Sequence, residues 1–349
     1  MPRYEPRWER CPATAGYEWA RRWLTMQANR MLARNTIDSY SRSMEDFLRF
    51  VGRLGVSPES ATREHVAEYL RDLLTRENPA QPKMVYIDSG AGLSNATVQL
   101  RLTVVRLFYD FLIEEGIRRT NPVGHRNSFK HTAGLTRAGT LFRRHRKLPW
   151  IPSEEQWQAI LSVARREPLR NRLMLALSYD AALRRQELLG LETVDIDPAH
   201  RLLRIRAERT KNCLERVVPY SEATSRLYGL YLSHRRELSR ERGNLFLSES
   251  NRNSRQPLTI WTWSKVVRDL SKTAGVPRFS THTLRHLCLT DLARAGWDIH
   301  EIAAFAGHRS LASTLLYIHL SGRDLATKLA DGMTQIHAWR SQQLSEVLA

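Results

Sequence analysis

Ser280-Thr281-His282-Thr283-Leu284-Arg285-His286, then Ala306-Gly307-His308, then Tyr317-Ile318-His319, bring histidine, arginine and tyrosine together near the carboxyl end of a 349-residue chain. These residue types suit a phosphodiester. A guanidinium fork binds non-bridging phosphate oxygens, an imidazole moves a proton, and a phenol hydroxyl can attack phosphorus. No carboxylate cluster accompanies them that would hold a catalytic metal. His282-x-x-x-His286 with Cys288 has the i,i+4 spacing of a ligand pair. It lacks the H-E-x-x-H pattern and the paired cysteines of a zinc site, so no metal is expected.

Local patterning places these residues on helices. Leu284, Leu287, Leu289 and Leu292 with Ala293 predict a helix that Gly296 stops. His282 and Arg285 are three apart and project from one side of its start. Asp298 is expected to cap a second helix through Ile299, Ile302, Ala303 and Ala306, which Gly307 ends. Ser310 is expected to cap a third that turns Leu311, Leu315 and Leu316 inward. Three short helices joined at Gly296 and Gly307 converge His282, Arg285, His308 and Tyr317.

The segment resembles the carboxyl-terminal motif of the tyrosine recombinases, the phage-integrase family of site-specific DNA recombinases. That pattern is H-x-x-R, then L-G-H, then a tyrosine nine residues on, often followed by x-H. Ala306 stands where leucine is usual. Upstream, Ala182-Leu183-Arg184-Arg185-Gln186-Glu187-Leu188 is similar to the family's G-L-R-x-x-E-L, with Ala182 in place of glycine. The register with Glu187 favours Arg184 over Arg185 as the first arginine. Between the arginines, Leu202 to Arg206 alternates as a strand and Arg216 to Tyr220 reads as its partner. Aligning Glu215-Arg216-Val217-Val218-Pro219 with E-R-x-V-P puts Lys211 at the family's lysine, with Arg209 as the alternative.

The resemblance implies a catalytic set of Arg184, Lys211, His282, Arg285, His308 and Tyr317, supported by Glu187. Tyr317 would attack the scissile phosphate, form a 3′-phosphotyrosyl link and free a 5′-hydroxyl. His282 would accept the phenol proton, Arg184 and Arg285 would clamp the phosphate, and His308 would hydrogen-bond it. Lys211 would protonate the departing 5′-oxygen. The covalent link conserves the phosphodiester bond energy, so no cofactor is expected. The implied partners are double-stranded DNA with inverted-repeat core sites, a homo-oligomer running from dimer to tetrameric synapse, and accessory proteins that bend DNA or set direction. The implied activity serves integration, excision or transposition of a mobile element. A type IB topoisomerase relaxing one strand, and a non-catalytic DNA-binding relative, are the alternatives.

Composition agrees with a DNA partner. The chain carries 54 Lys and Arg against 36 Asp and Glu, a net charge of +18, which favours a polyanion. Three scattered cysteines, Cys11, Cys213 and Cys288, fit a reducing compartment. No membrane-length apolar run and no leader peptide is read, so the expected location is cytoplasmic, at the nucleoid.

The expected fold is mainly α with a small antiparallel β-sheet. The resemblance implies a helical, SAM-like core-binding domain over 14–125 and a tyrosine-recombinase catalytic domain over 151–335, closing as a C-shaped clamp on DNA. Helical stripes run from Tyr17 to Leu32, Thr36 to Val51, Val66 to Leu74, and from Ser94 to Gly116. Residues 77–93 read as a loop insertion. A basic linker spans 126–150, within a stretch from Gly116 to Ser153 that holds no acidic residue. Its Arg143, Arg144, Arg146 and Lys147 are the candidate phosphate contacts, each adding roughly 0.9 to the salt slope of DNA binding. Ser153-Glu154-Glu155-Gln156 forms a capping box that opens the second domain. Further helices are expected over Ser221–Leu238 and Thr259–Ala274, with Trp261 and Trp263 in or near the core. The tail over 336–349 either docks on a neighbouring protomer or packs on its own domain.

Overall fold

The computed structural model describes residues 4–76, 92–124, 148–210 and 213–320. Lys211, Arg143, Arg144, Arg146, Lys147, the tail over 336–349 and all but the end of the 77–93 insertion lie outside the described residues. The chain divides into two compact units, Met1–Arg146 and Lys147–Ala349. Among the described residues no helix is long and apolar enough to cross a membrane.

The first unit is helical: α1 (Pro12–Gly16), α2 (Glu18–Asn29), α3 (Arg34–Arg53), α4 (Arg63–Thr75) and α5 (Asn95–Glu114). The short α1 goes beyond the four stripes read from sequence. Ser94 caps α5 by accepting from the Thr97 N–H, and Gly116 ends it at a φ of 75°. The stripes close into one core in which Trp23, Phe47 and Phe108 are fully buried. Trp23 meets Phe108 edge-on at 5.9 Å. Burying each such ring contributes about 1.5–3 kcal/mol. Asp46 ties α3 to its neighbours, accepting from the Tyr69 hydroxyl at 2.7 Å and pairing with Arg76 and Arg101.

The second unit begins with α6 (Glu154–Ala164), opened by the reciprocal Ser153–Gln156 capping box. It continues through α7 (Leu169–Asp180), α8 (Arg185–Leu189), β1 (Ile196–Asp197), β2 (Leu202–Ile205), β3 (Arg216–Pro219) and α9 (Glu222–Leu238). It closes with α10 (Ile260–Thr273), α11 (Thr281–Arg294), α12 (Ile299–Ala306) and α13 (Leu315–Leu320). The three strands form one antiparallel sheet in the order β1-β2-β3, with Leu203 opposite Val218 and Ile205 opposite Arg216. Leu203 and Ile205 face the core while Arg204 between them is exposed, the period-two alternation of a half-buried strand. α7 lies between α9 and α11, buries Leu173, Met174, Leu175 and Leu177, and has no exposed residue on any side. Such a helix is enclosed rather than amphipathic.

Three expectations are corrected. Ser310 makes no side-chain cap; a 3-10 turn over Leu311–Ser313 leads instead into α13. Leu311 and Leu315 are therefore exposed, and the inward residues are Thr314 and Tyr317. Trp263 is buried but Trp261 is 74% exposed. The buried face of α10 runs through Trp263, Val267 and Leu270, and two residues back is the opposite side of a helix.

Candidate active site

The candidate site forms where the α7–α8 turn, β3, α11, the end of α12 and α13 meet. α7 stops at Ala181, and Ala182 turns the chain with φ at 46°, a left-handed backbone unusual for a residue with a Cβ. That turn presents Arg184 as the residue capping α8. Its N–H donates to Glu187 Oε2 at 3.0 Å, and its Nη1 donates to Glu187 Oε1 at 2.7 Å. Arg216 reaches the same carboxylate from β3, with Nη2 donating to Oε2 at 2.7 Å. Glu187 is 1% exposed. Burial alone would raise its carboxyl, but the hydrogen bonds and charge of Arg216 and then Arg184 outweigh burial and hold it at about 2. Arg185 points elsewhere, donating to Ser264 Oγ on α10 at 2.7 Å.

α11 begins at Ser280, whose side chain forms a capping box with Thr283, and ends before Gly296 with φ at 85°. α12 starts at the Asp298 cap and ends at Gly307, left-handed with φ at 61°. Its carboxyl end projects carbonyls with no helical partner. Arg285 fills that position: Nη2 donates to Ala306 O at 2.6 Å and Nη1 to Ala182 O at 2.6 Å. Arg184 Nη2 lies 3.5 Å from Gly307 O. The negative end of the α12 dipole and the two turn carbonyls thus hold guanidiniums without neutralising them. Burial and repulsion from Arg184 lower Arg285 to about 10, which leaves it charged at neutral pH.

Tyr317 is brought in by α13 and is 4% exposed. Its hydroxyl lies 3.0 Å from His286 Nδ1. His308 stacks on its ring at 6.1 Å, with the two planes 7° apart. His308 Nδ1 meets Thr314 Oγ1 at 2.9 Å and its Nε2 meets Arg285 Nη2 at 2.9 Å. Burial raises the Tyr317 phenol, against the charges of Arg285 and Arg184. Burial, then Arg285, Arg184 and Arg216, lower His308 to about 4. His282 stands solvent-accessible on the first turn of α11, and the surrounding protein with Arg185, Arg285 and Arg184 lowers its imidazole.

The structure thus brings Arg184, Glu187, Arg285, His308 and Tyr317 together, with His282 at the edge. The imidazole on the phenol hydroxyl is His286, not the expected His282. Arg209, the alternative to Lys211, is 45% exposed and pairs with Glu192 at 3.6 Å. Arg216 and the partner of His286 escaped the sequence reading. Arg216 carried a signal in its alternation with buried Val218, which places both on the inner face of β3. The signal for His286 was its i,i+4 spacing from His282. Cys288 packs beside them, and burial pushes its thiol up to about 12. Among the described residues no group of three or more histidine, cysteine, aspartate or glutamate side chains forms a metal site. Three arginines facing one carboxylate leave the cleft net positive, a receptor for an anion.

Residues 152–323 match the model of the phage integrase family, and residues 21–116 that of the phage integrase N-terminal SAM-like domain. The chain is 30% identical over 322 residues to a tyrosine recombinase XerD of Caulobacter vibrioides, covering 89% of this chain and 94% of that protein. It is 26% identical over 313 residues to a tyrosine recombinase XerC of Listeria welshimeri, covering 86% and 92%. Among solved structures it is similar to the XerH site-specific recombinase bound to its palindromic difH substrate, with a TM-score of 0.64 at 19% identity, covering 87% and 82%. The Tn1549 transposon integrase in complex with a circular intermediate DNA gives 0.63 at 17% identity, covering 85% and 93%. At these identities the structural likeness speaks for the fold.

Proposed function

The chain belongs to the phage integrase family of tyrosine recombinases, enzymes that cut and rejoin DNA, and from that premise we propose how its own residues do so. Tyr317 attacks a scissile phosphate held by Arg184 and Arg285, leaving a 3′-phosphotyrosyl link and a free 5′-hydroxyl. The arginines stabilise charge on the pentacoordinate transition state. His308 hydrogen-bonds the phosphate, and His282, on the first turn of α11, takes up the phenol proton. Lys211 protonates the 5′-oxygen, a poor leaving group as an alkoxide. Ligation reverses the steps with a partner strand's 5′-hydroxyl, so the enzyme consumes no cofactor. The observation that carries this reading is the convergence of Arg184, Arg285, His308 and Tyr317 on one net-positive cleft.

The partner is double-stranded DNA with inverted-repeat core sites, bound by a dimer that pairs into a tetrameric synapse in the bacterial cytoplasm, at the nucleoid. The helical unit over 14–125 and the catalytic unit over 151–335 each bind the duplex. The linker over 126–150 lays Arg143, Arg144, Arg146 and Lys147 along phosphates, and the tail over 336–349 engages a neighbouring protomer. The biological use is movement of a mobile element by integration, excision or transposition, with accessory proteins setting direction. Resolution of chromosome dimers is the second reading, favoured by near full-length matches to relatives named XerD and XerC.

A nicked suicide duplex tests the chemistry. Wild-type protein is expected to be trapped covalently, and Tyr317→Phe to yield no adduct. An adduct with Tyr317→Phe would assign the nucleophile elsewhere. Exchange between two labelled duplexes separates recombination from strand relaxation, and mapping junctions in host DNA separates element movement from dimer resolution.

A further inference from the structure

Of the arginines around the cleft, Arg184 and Arg216 face Glu187, and Arg285 is held by the Ala182 and Ala306 carbonyls. Arg185 is held differently. It falls at an unspecified position of the G-L-R-x-x-E-L pattern, so the resemblance gives it no role. It is only partly buried, and among the described residues no carboxylate pairs with it. Its Nη1 donates to Ser264 Oγ on α10 at 2.7 Å. Ser264 donates its own hydrogen to Ile260 O at 2.8 Å, so its oxygen is fixed as the acceptor for Arg185.

That bracing aims a charge without neutralising it. A hydroxyl engages one of a guanidinium's N–H donors and leaves the others, with the full positive charge, for an anion. The charge also lies beside the reaction. Among the charged groups that lower the His282 imidazole, Arg185 comes before Arg285 and Arg184. Arg184 and Arg185 are adjacent in the chain, yet their forks part, one toward Glu187 and Gly307 and the other toward α10. Diverging forks on neighbouring residues suit two successive phosphates better than two oxygens of one. One turn beyond Ser264 on the same side of α10, exposed Arg268 continues the positive path away from the cleft.

We propose that Arg185, braced by Ser264, binds the phosphate adjacent to the scissile one on the cleaved strand. Arg184 and Arg285 then fix the reacting phosphate, and Arg185 fixes the direction in which the strand leaves it. Two anchored phosphates orient the phosphorus–O5′ bond relative to Tyr317, whereas a single anchor lets the strand swing about the clamp. This inference rests on the function proposed above and adds to it a substrate-positioning residue outside the motif.

The test uses full-length protein and nicked suicide duplexes selected from a randomised pool by covalent capture on the wild type. Single methylphosphonates, each removing one phosphate charge, replace in turn the phosphates around the scissile one. On the wild type, the substitution at the adjacent phosphate of the cleaved strand should slow adduct formation roughly 10- to 100-fold, the range for a hydrogen bond to a charged group. Arg185→Gln should slow the unmodified duplex by a similar factor and lose most of the further penalty at that phosphate, while penalties elsewhere persist. Ser264→Ala should move both quantities the same way, by less. A wild type indifferent to that phosphate overturns the assignment, and so does Arg185→Gln at the wild-type rate. Arg185→Gln that is slow but keeps the full penalty also overturns it, since that is the pattern of a purely structural tie between α8 and α10. Should Arg185→Gln fail to fold, Ser264→Ala decides, and an undiminished penalty there overturns the proposal. A wild type that forms no Tyr317 adduct overturns the recombinase reading and this inference with it. A Tyr317 adduct with independent penalties overturns the inference alone.

Discussion

Arg285 donates to His308 across 2.9 Å, so one guanidinium fixes the tautomer of the histidine that stacks on the nucleophile. To donate in turn to a phosphate, His308 must either gain a proton or exchange this contact for one to the substrate. Resting and engaged sites therefore differ in protonation as well as position.

Acid should destabilise the catalytic unit in a defined window. Unfolded histidines take up protons near 6.5, whereas folded His286 and His308 do so only at about 4. Between those values the unfolded state binds more protons, so stability falls as pH drops from 6.5 toward 4 and is fully present above 6.5. The acid-limit loss is on the order of 3 kcal/mol for one such group. Urea midpoints measured across this window should fall for the wild type and fall less steeply for His308→Gln, which leaves only the His286 contribution.

Glu187→Gln removes the only carboxylate facing Arg184 and Arg216 among the described residues. Breaking a buried ion pair from one side costs about 3–5 kcal/mol, and the amide oxygen retained by glutamine places the expected loss near the low end. Urea unfolding reads the stability, and adduct formation should fall because Arg184 loses its orienting partner. An unchanged midpoint would show that the arginines hold themselves through the backbone.

Ala182→Gly is expected to be tolerated and to stabilise the fold by up to about 1 kcal/mol. The left-handed backbone costs a non-glycine residue roughly 1–2 kcal/mol, against which glycine adds about 0.5–1 kcal/mol of chain entropy. A loss above 1 kcal/mol in thermal unfolding would mean that the buried methyl packs more tightly than its strain is costly.

Gly307→Ala should do the reverse. The residue is left-handed, and a Cβ there would meet the Arg216 guanidinium at 3.0 Å. Arg216 must then shift on Glu187, so both stability and cleavage should drop, the former by roughly 1–2 kcal/mol. Comparing unfolding with adduct rates separates the two effects.

Much of this was legible beforehand because the relevant signals are local. Gly296, Asp298 and Gly307 punctuate the chain as caps and stops, and each sits where its type predicts. The hairpin followed from alternation around Leu203 and Val218. What escaped depends on tertiary contact. β1 spans only Ile196–Asp197, too short for any period. Leu311 and Leu315 read as core because apolar residues after a cap suggest a helix, yet the 3-10 turn rotates them outward and buries Thr314, which is needed against His308. The pairing of His286 with Tyr317 spans 31 positions, and spacing within one helix cannot reveal it.

The clamp's dependence on main-chain acceptors carries a consequence for how such a site varies. Arg285 is held by the carbonyls of Ala182 and Ala306, and an oxygen of the peptide bond survives any change of side chain. At both positions this chain departs from the motif it resembles. Substitution there can alter turn strain and packing while leaving the arginine's anchors in place, so the reaction geometry is buffered against drift in the sequence that builds it.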